Sequence, residues 1–181
     1  TIASTGWTNA THTHAGTTTG GLVVAASLTQ VGAVELATTA EIDTGTDTTR
    51  AIPVDQYVAS ARNVRFVLYR VINPTTAMTV ANIVGGDLEF PFTGTITEIG
   101  AFVDTAGTTG LATIDVNKAG VTIRSTKITL DSTEKISRTA VTAPVLSVTS
   151  IAAGDIITVD VDGIQTTAAL GLTVRIGIRQ T

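Results

Sequence analysis

His12 and His14 are the only histidines of the 181-residue chain, and they stand one residue apart in Thr-His-Thr-His-Ala. In extended backbone that spacing puts both imidazoles on one face. Within a single chain, two imidazoles make a poor metal site. In a parallel trimer the pair recurs three times about one axis, and six neutral nitrogens can cage an octahedral transition metal such as iron. The alternative is two packed or solvated histidines in a thread. Acid pairs come next. Asp87 with Glu89, and Asp160 with Asp162, are i, i+2 carboxylates. On one strand face such a pair can serve a glycosidase or hold calcium, although it is more often a solvated strand face. Glu41, Asp43 and Asp47 crowd one short stretch, but no Gly and no Glu fall where a calcium-binding helix-loop-helix needs them.

The chain contains no cysteine, which removes thiol nucleophiles, thiolate–zinc sites and disulfides. Gly-x-Ser-x-Gly, a phosphate loop and His-Glu-x-x-His are absent from the sequence, and both histidines lie far along the chain from any nucleophile. We therefore expect a protein that binds and does not catalyse. A net charge of −4 argues against nucleic acid, whose phosphates need clustered Lys and Arg. No apolar run approaches the roughly 20 residues that span a bilayer. The chain opens on Thr1 instead of Met, so it reads as processed or as part of a longer product. Only 14% of residues are charged, which suits a protein that hides surface in an oligomer.

The elements that must carry these residues divide into three. Residues 1–52 read as an extended arm and a joint, residues 53–63 as a short helical linker, and residues 64–181 as a β domain. The arm is built from Thr, Ala and Gly and buries too little apolar area to offset its own chain entropy. Trp7 and the Leu22-Val23-Val24 run are its candidate attachment residues, because a lone Trp in a polar segment usually has a partner surface. In the joint, Asp43, Gly45 and Asp47 read as turn formers. Pro53 then opens a short helix through Ser60 with an acid close behind.

From Val64 the texture changes to strands. Arg65–Ile72 is a dense apolar run that reads as a buried strand closed by Asn73-Pro74. Asp87–Phe92, Gly94–Val103, Leu111–Asn117, Pro144–Val148, Ile156–Asp162 and Gly171–Arg179 read as further strands. Asn117-Lys118-Ala119-Gly120 reads as a hairpin turn, with Val121–Arg124 returning and Lys127–Leu130 extending it. Ile96, Leu111, Ile114 and Val116 are expected in the core. Residues 131–143 read as a polar loop or edge strand. About eight strands with turns every 8–12 residues predict an all-β fold, an antiparallel sandwich of jelly-roll type. Phe66, Tyr69, Phe90, Phe92 and Phe102 lie mostly in apolar runs and are expected in the core, which leaves no aromatic platform for sugars.

The run Thr29-Gln30-Val31-Gly32-Ala33-Val34-Glu35-Leu36-Ala37-Thr38, followed by Ala40-Glu41, Gly45-Thr46-Asp47 and Arg50-Ala51-Ile52-Pro53, resembles a segment that recurs in bacteriophage tail-fibre and related virion-fibre proteins. It spans residues 29–53, about a seventh of the chain. The resemblance implies a homotrimeric, non-enzymatic virion subunit, located on head or tail, whose arm joins other virion proteins of the capsid, neck or tail. Its β domain would then bind a host-surface glycan or decorate the capsid. Phage fibres also use His-x-His to hold metal, which adds weight to iron at His12 and His14. In this chain the motif occurs once, where fibre versions often repeat it. A second function class stays open: a carbohydrate-binding module of a larger secreted protein.

Overall fold

A computed structural model describes residues 35–47 and 49–180. The chain divides into two compact units, Thr1–Gln56 and Tyr57–Thr181.

The described part of the first unit is organised by a helix that the turn-former reading missed, α1 (Thr39–Thr44). Thr38-Thr39-Ala40-Glu41 is a capping box: the Glu41 amide donates to Thr38 Oγ1 at 3.4 Å, and the Thr38 amide donates to the Glu41 carboxylate at 2.9 Å. Gly45, at φ 65°, takes the left-handed position that ends the helix, and its amide closes on the Glu41 carbonyl. The expected turn is therefore a helix stop. Ile42 is the buried residue of this helix. Asp47 folds the next turn by accepting from the Thr49 amide at 2.7 Å and the Thr49 hydroxyl at 2.8 Å. Arg50 then ties the turn together. Its guanidinium meets Glu35 at 3.1 Å and Glu41 at 2.9 Å, and it also pairs with Asp47. Glu41 and Asp47 thus face a guanidinium and form no cation loop.

These contacts set an acid limit. The Thr49 amide and hydroxyl, with Arg50, hold the Asp47 carboxyl down at about 2, from an ordinary 3.8. The Thr38 amide and hydroxyl, with Arg50, lower Glu41 as well. A depressed carboxylate contributes stability above its unfolded value and loses it as pH falls through the folded one. The amide resonances of Ile42 and Gly45 should hold their dispersion from neutral pH down to about 3 and lose it near 2. Collapse already at pH 4 to 5 would show that these bonds are not formed.

The helix expected after Pro53 is present as α2 (Val54–Ala59). The rest of the described chain is mostly strand, and all the strand pairs are antiparallel. In order these are β1 (Val64–Ala77), β2 (Leu88–Glu89), β3 (Gly94–Phe102), β4 (Ala112–Lys118), β5 (Val121–Thr122), β6 (Arg124–Thr126), β7 (Ile128–Leu130), β8 (Val145–Leu146), β9 (Ser150–Ile151), β10 (Ile156–Gly163) and β11 (Leu170–Gln180). One sheet runs β1-β11-β3-β9, a second runs β2-β10-β4-β5 with β7 also on β4, and β6 pairs β8. There are more strands than expected, because residues 121–130 break into three and Ser150–Ile151 adds one.

One hydrophobic core collects side chains from both larger sheets: Ile96, Ile99 and Ala101 of β3, Leu172, Val174, Ile176 and Ile178 of β11, Ala112, Ile114 and Val116 of β4, and Ile157, Val159 and Val161 of β10. Ile96 and Ile99 both point inward despite an odd spacing. The register against β11 slips at this point, from Glu98↔Gly177 to Ile96↔Ile178, and the slip leaves Thr97 as a bulge. The expected hairpin turn is present, with Ala119 at φ 50° and Gly120 at φ 77°.

Three expectations fail here. β1 does not stop at Asn73-Pro74 but runs on to Ala77. Nor is it buried along its length: only Val71 and Ile72 are buried, and it pairs only with β11, at the sheet's edge, where a proline costs no ladder bond. Phe66 is 54% and Leu68 63% exposed on this strand. Leu111 is also outside the core, 47% exposed, because β4 begins one residue later at Ala112.

Candidate functional site

Charge and hollow space come together on the outer side of β3 and β11. Alternation sends Val174 and Ile176 inward and leaves Arg175 outward, opposite Gly100 of β3 and Leu68 of β1. The Arg175 guanidinium lies 5.3 Å from the centroid of the Phe66 ring, and its Nη2 is 3.4 Å from the Glu98 carboxylate. Phe102 is half-buried next to the loop that carries Ile136.

That loop makes the second wall. Ser137 pins it to β3 twice: its amide donates to the Ala101 carbonyl, and its hydroxyl accepts from the Ala101 amide, both at 2.9 Å. Gly100 permits this approach, since a Cβ there would lie 3.2 Å from Ser137 Oγ. The loop then presents Arg138 to solvent and returns through Ala143-Pro144 into β8. β8 pairs β6 with Leu146 opposite Arg124. Two adjoining hollows of about 230 and 490 Å³ result, and they share Gly100, Ser137, Arg138 and Arg175. Thr97, Glu98, Arg124, Pro144, Val145 and Leu146 help line the larger one.

Arg124 is the unusual member. It is only 4% exposed. Its Nε donates to the Thr126 carbonyl at 3.2 Å, while Nη1 is buried without a hydrogen-bond partner. Burial pushes the group down to about 10, with the Asp115 carboxylate opposing. It therefore remains a cation at neutral pH. Three guanidinium groups and one carboxylate around a partly apolar hollow form an anion-accepting surface.

Of the residues picked out by sequence, the described ones fall elsewhere. His12, His14, Trp7, Leu22, Val23 and Val24 lie outside the described residues. Asp160 and Asp162 hold the structure together: Asp160 accepts from the Ile83 amide at 2.7 Å and from Asn117 Nδ2 at 2.8 Å, and Asp162 pairs with Lys127 at 2.8 Å. Lys127 also reaches Asp115 at 3.0 Å. Asp87 and Glu89 are exposed on either side of Leu88. The aromatic residues divide: Phe90 is core, with Phe92 edge-on at 6.1 Å, but Phe66 faces outward, contrary to expectation. Sequence reasoning passed over Arg124, Arg138 and Arg175 because they belong to no motif and stand far apart. The one available sign was Arg124 itself, a charge that directly follows the apolar Ile123.

Compared with known proteins, the chain gives no match to a family model, to a curated protein or to a solved structure.

Proposed function

We propose that the chain is a non-enzymatic subunit of a bacteriophage virion fibre, a homotrimer rooted in other virion proteins by its N-terminal arm. The β unit is its knob, a sandwich of jelly-roll type that binds the host surface or decorates the capsid. One observation carries this reading. The positions that resemble virion-fibre segments have defined physical work in this chain. Glu35, Glu41 and Asp47 surround Arg50. Thr38 and Glu41 cap the helix, and Gly45 ends it. Ala51 closes the segment by accepting from the Ala37 amide at 2.9 Å and donating to the Glu35 carbonyl at 3.1 Å. A recurrent sequence whose described members Glu35, Thr38, Glu41, Gly45, Asp47, Arg50 and Ala51 build one small folded segment is a unit suited to reuse between arm and knob.

Exposed Phe66 and Leu68 also favour association, since apolar groups on a sheet edge are stabilised when a second copy covers them. The same Phe66, beside Arg175, supports the second reading, a carbohydrate-binding module, because a sugar ring can stack on it.

Sedimentation of the intact chain separates the two. The fibre reading expects three times the 18.5 kDa chain mass, with one iron per three chains that is lost in His12→Ala. A monomer that retains sugar binding would favour the module. A metal-free trimer would keep the fibre and remove the histidine cage.

A further inference from the structure

We propose that the larger hollow between β3, β11 and the 136–146 loop is a binding site for a carboxylate carried on a sugar-sized organic body, with Arg124 and Arg138 as its ligands. The inference goes beyond the fibre reading and does not rest on it, because the site lies wholly within the β unit.

A guanidinium that is nine-tenths buried normally has its donors satisfied, since a charged donor without a partner is costly to bury. Arg124 Nη1 breaks that rule, and the residue lines the hollow. The acid whose charge acts on it, Asp115, is already engaged by the Thr122 hydroxyl at 2.7 Å and by Lys127. Glu98 is drawn to Arg175 at 3.4 Å. Arg124 and the solvent-facing Arg138 are left as the cations of the hollow for an incoming anion. A carboxylate suits them because its two oxygens match the planar donor fork. The remaining wall decides against a bare inorganic ion. Ala143, Pro144, Val145 and Leu146 are largely apolar and offer contact to a carbon skeleton but nothing to a fully hydrated phosphate. A hollow of about 490 Å³ lies within the usual range for small organic ligands.

Titration of the full chain, followed by arginine side-chain NMR and calorimetry, tests the proposal. The probes are D-glucuronate, N-acetylneuraminate, acetate, D-glucose and inorganic phosphate. At least one sugar acid should bind saturably, at least tenfold tighter than acetate and phosphate, and D-glucose should not bind. Arg138→Ala, an exposed change, should weaken that binding tenfold or more. Arg124→Met should abolish it while melting no lower than the parent, because an apolar side chain of similar volume removes a buried unpaired charge. The proposal is overturned if no acid binds, if phosphate or glucose binds as well as the sugar acids, or if binding survives in Arg138→Ala. A lower melting temperature in Arg124→Met, with Arg138→Ala binding normally, would make the guanidinium a support of the fold and sink the idea.

Discussion

Deletion of residues 1–52 should leave a β protein that melts in one cooperative step within a few degrees of the parent and, on the fibre reading proposed above, one that no longer joins a virion. Among the described residues, the large hydrophobic cluster of the β unit runs from Val71 to Ile178, so the truncation removes none of it and takes only the separate buried pair Ala37 and Ile42. Cutting before Pro53 keeps α2 intact, and with it the bonds that the β unit makes to the helix end. Arg179 Nη1 donates to the Ala59 carbonyl at 3.1 Å, and Asn63 Nδ2 donates to the Gln180 carbonyl at 3.3 Å. What disappears is the Arg50 cluster and everything before it. If the arm carries trimerisation and attachment, the truncated chain should sediment as a monomer and be missing from assembled particles. Circular dichroism without a cooperative transition would refute the division into arm and knob. A truncated protein still found on particles would refute the role given to the arm.

Gly171→Ala should cost about 3 kcal/mol, or a fall in melting temperature of about 10 °C. Gly171 sits inside β11 at φ 69°, where the pairing with β1 skips from Ile72↔Leu172 to Ala77↔Leu170. A left-handed backbone alone costs a residue with a Cβ about 1–2 kcal/mol. Space adds the rest. A Cβ there would strike the Asp104 carboxylate and lie 3.0 Å from Pro74 Cα. Asp104 is not free to step aside, because it pairs with Arg70 and its amide donates to the Leu170 carbonyl at 2.9 Å. Gly154→Ala is the internal control. Its φ is 86°, but nothing lies within 4 Å of the added atom, so only the backbone cost of about 1 kcal/mol remains. Equal melting temperatures for the two variants would show that the crowding around Gly171 is relieved at no cost.

The edge position of β1 explains why it departs from the buried strand that its sequence suggests. Arg65–Ile72 is apolar enough to read as buried, and Pro74 reads as a stop. Whether such a strand is central or at an edge depends on its neighbours, and β1 has one neighbour, β11, from the far end of the chain. At an edge, Phe66 and Leu68 keep their solvent face and Pro74 breaks no pairing. Thr97 teaches the same lesson on a smaller scale. Nothing in Thr95-Ile96-Thr97-Glu98-Ile99 announces a bulge, since it arises from the register against β11. The α1 helix is a different case. Its capping box and terminal glycine were legible in Thr38, Glu41 and Gly45, but the β-branched threonines around them favoured extended backbone.

Local period and turn chemistry were what the amino-acid order could settle. Ala112-Thr113-Ile114-Asp115-Val116 and Ile157-Thr158-Val159-Asp160-Val161 alternate, and both became strands with their apolar face in the core. The tight turn at Ala119-Gly120 followed from residue type alone. The outward face of the β1-β11-β3-β9 sheet, and the place of Arg124 in the lining of the larger hollow, came only from tertiary structure. Alternation says that two faces differ. It does not say which distant segment will cover one of them. Arg124, Arg138 and Arg175 meet because the 136–146 loop is pinned on β3 by Ser137 and because β8 returns to β6, contacts formed between residues far apart in sequence.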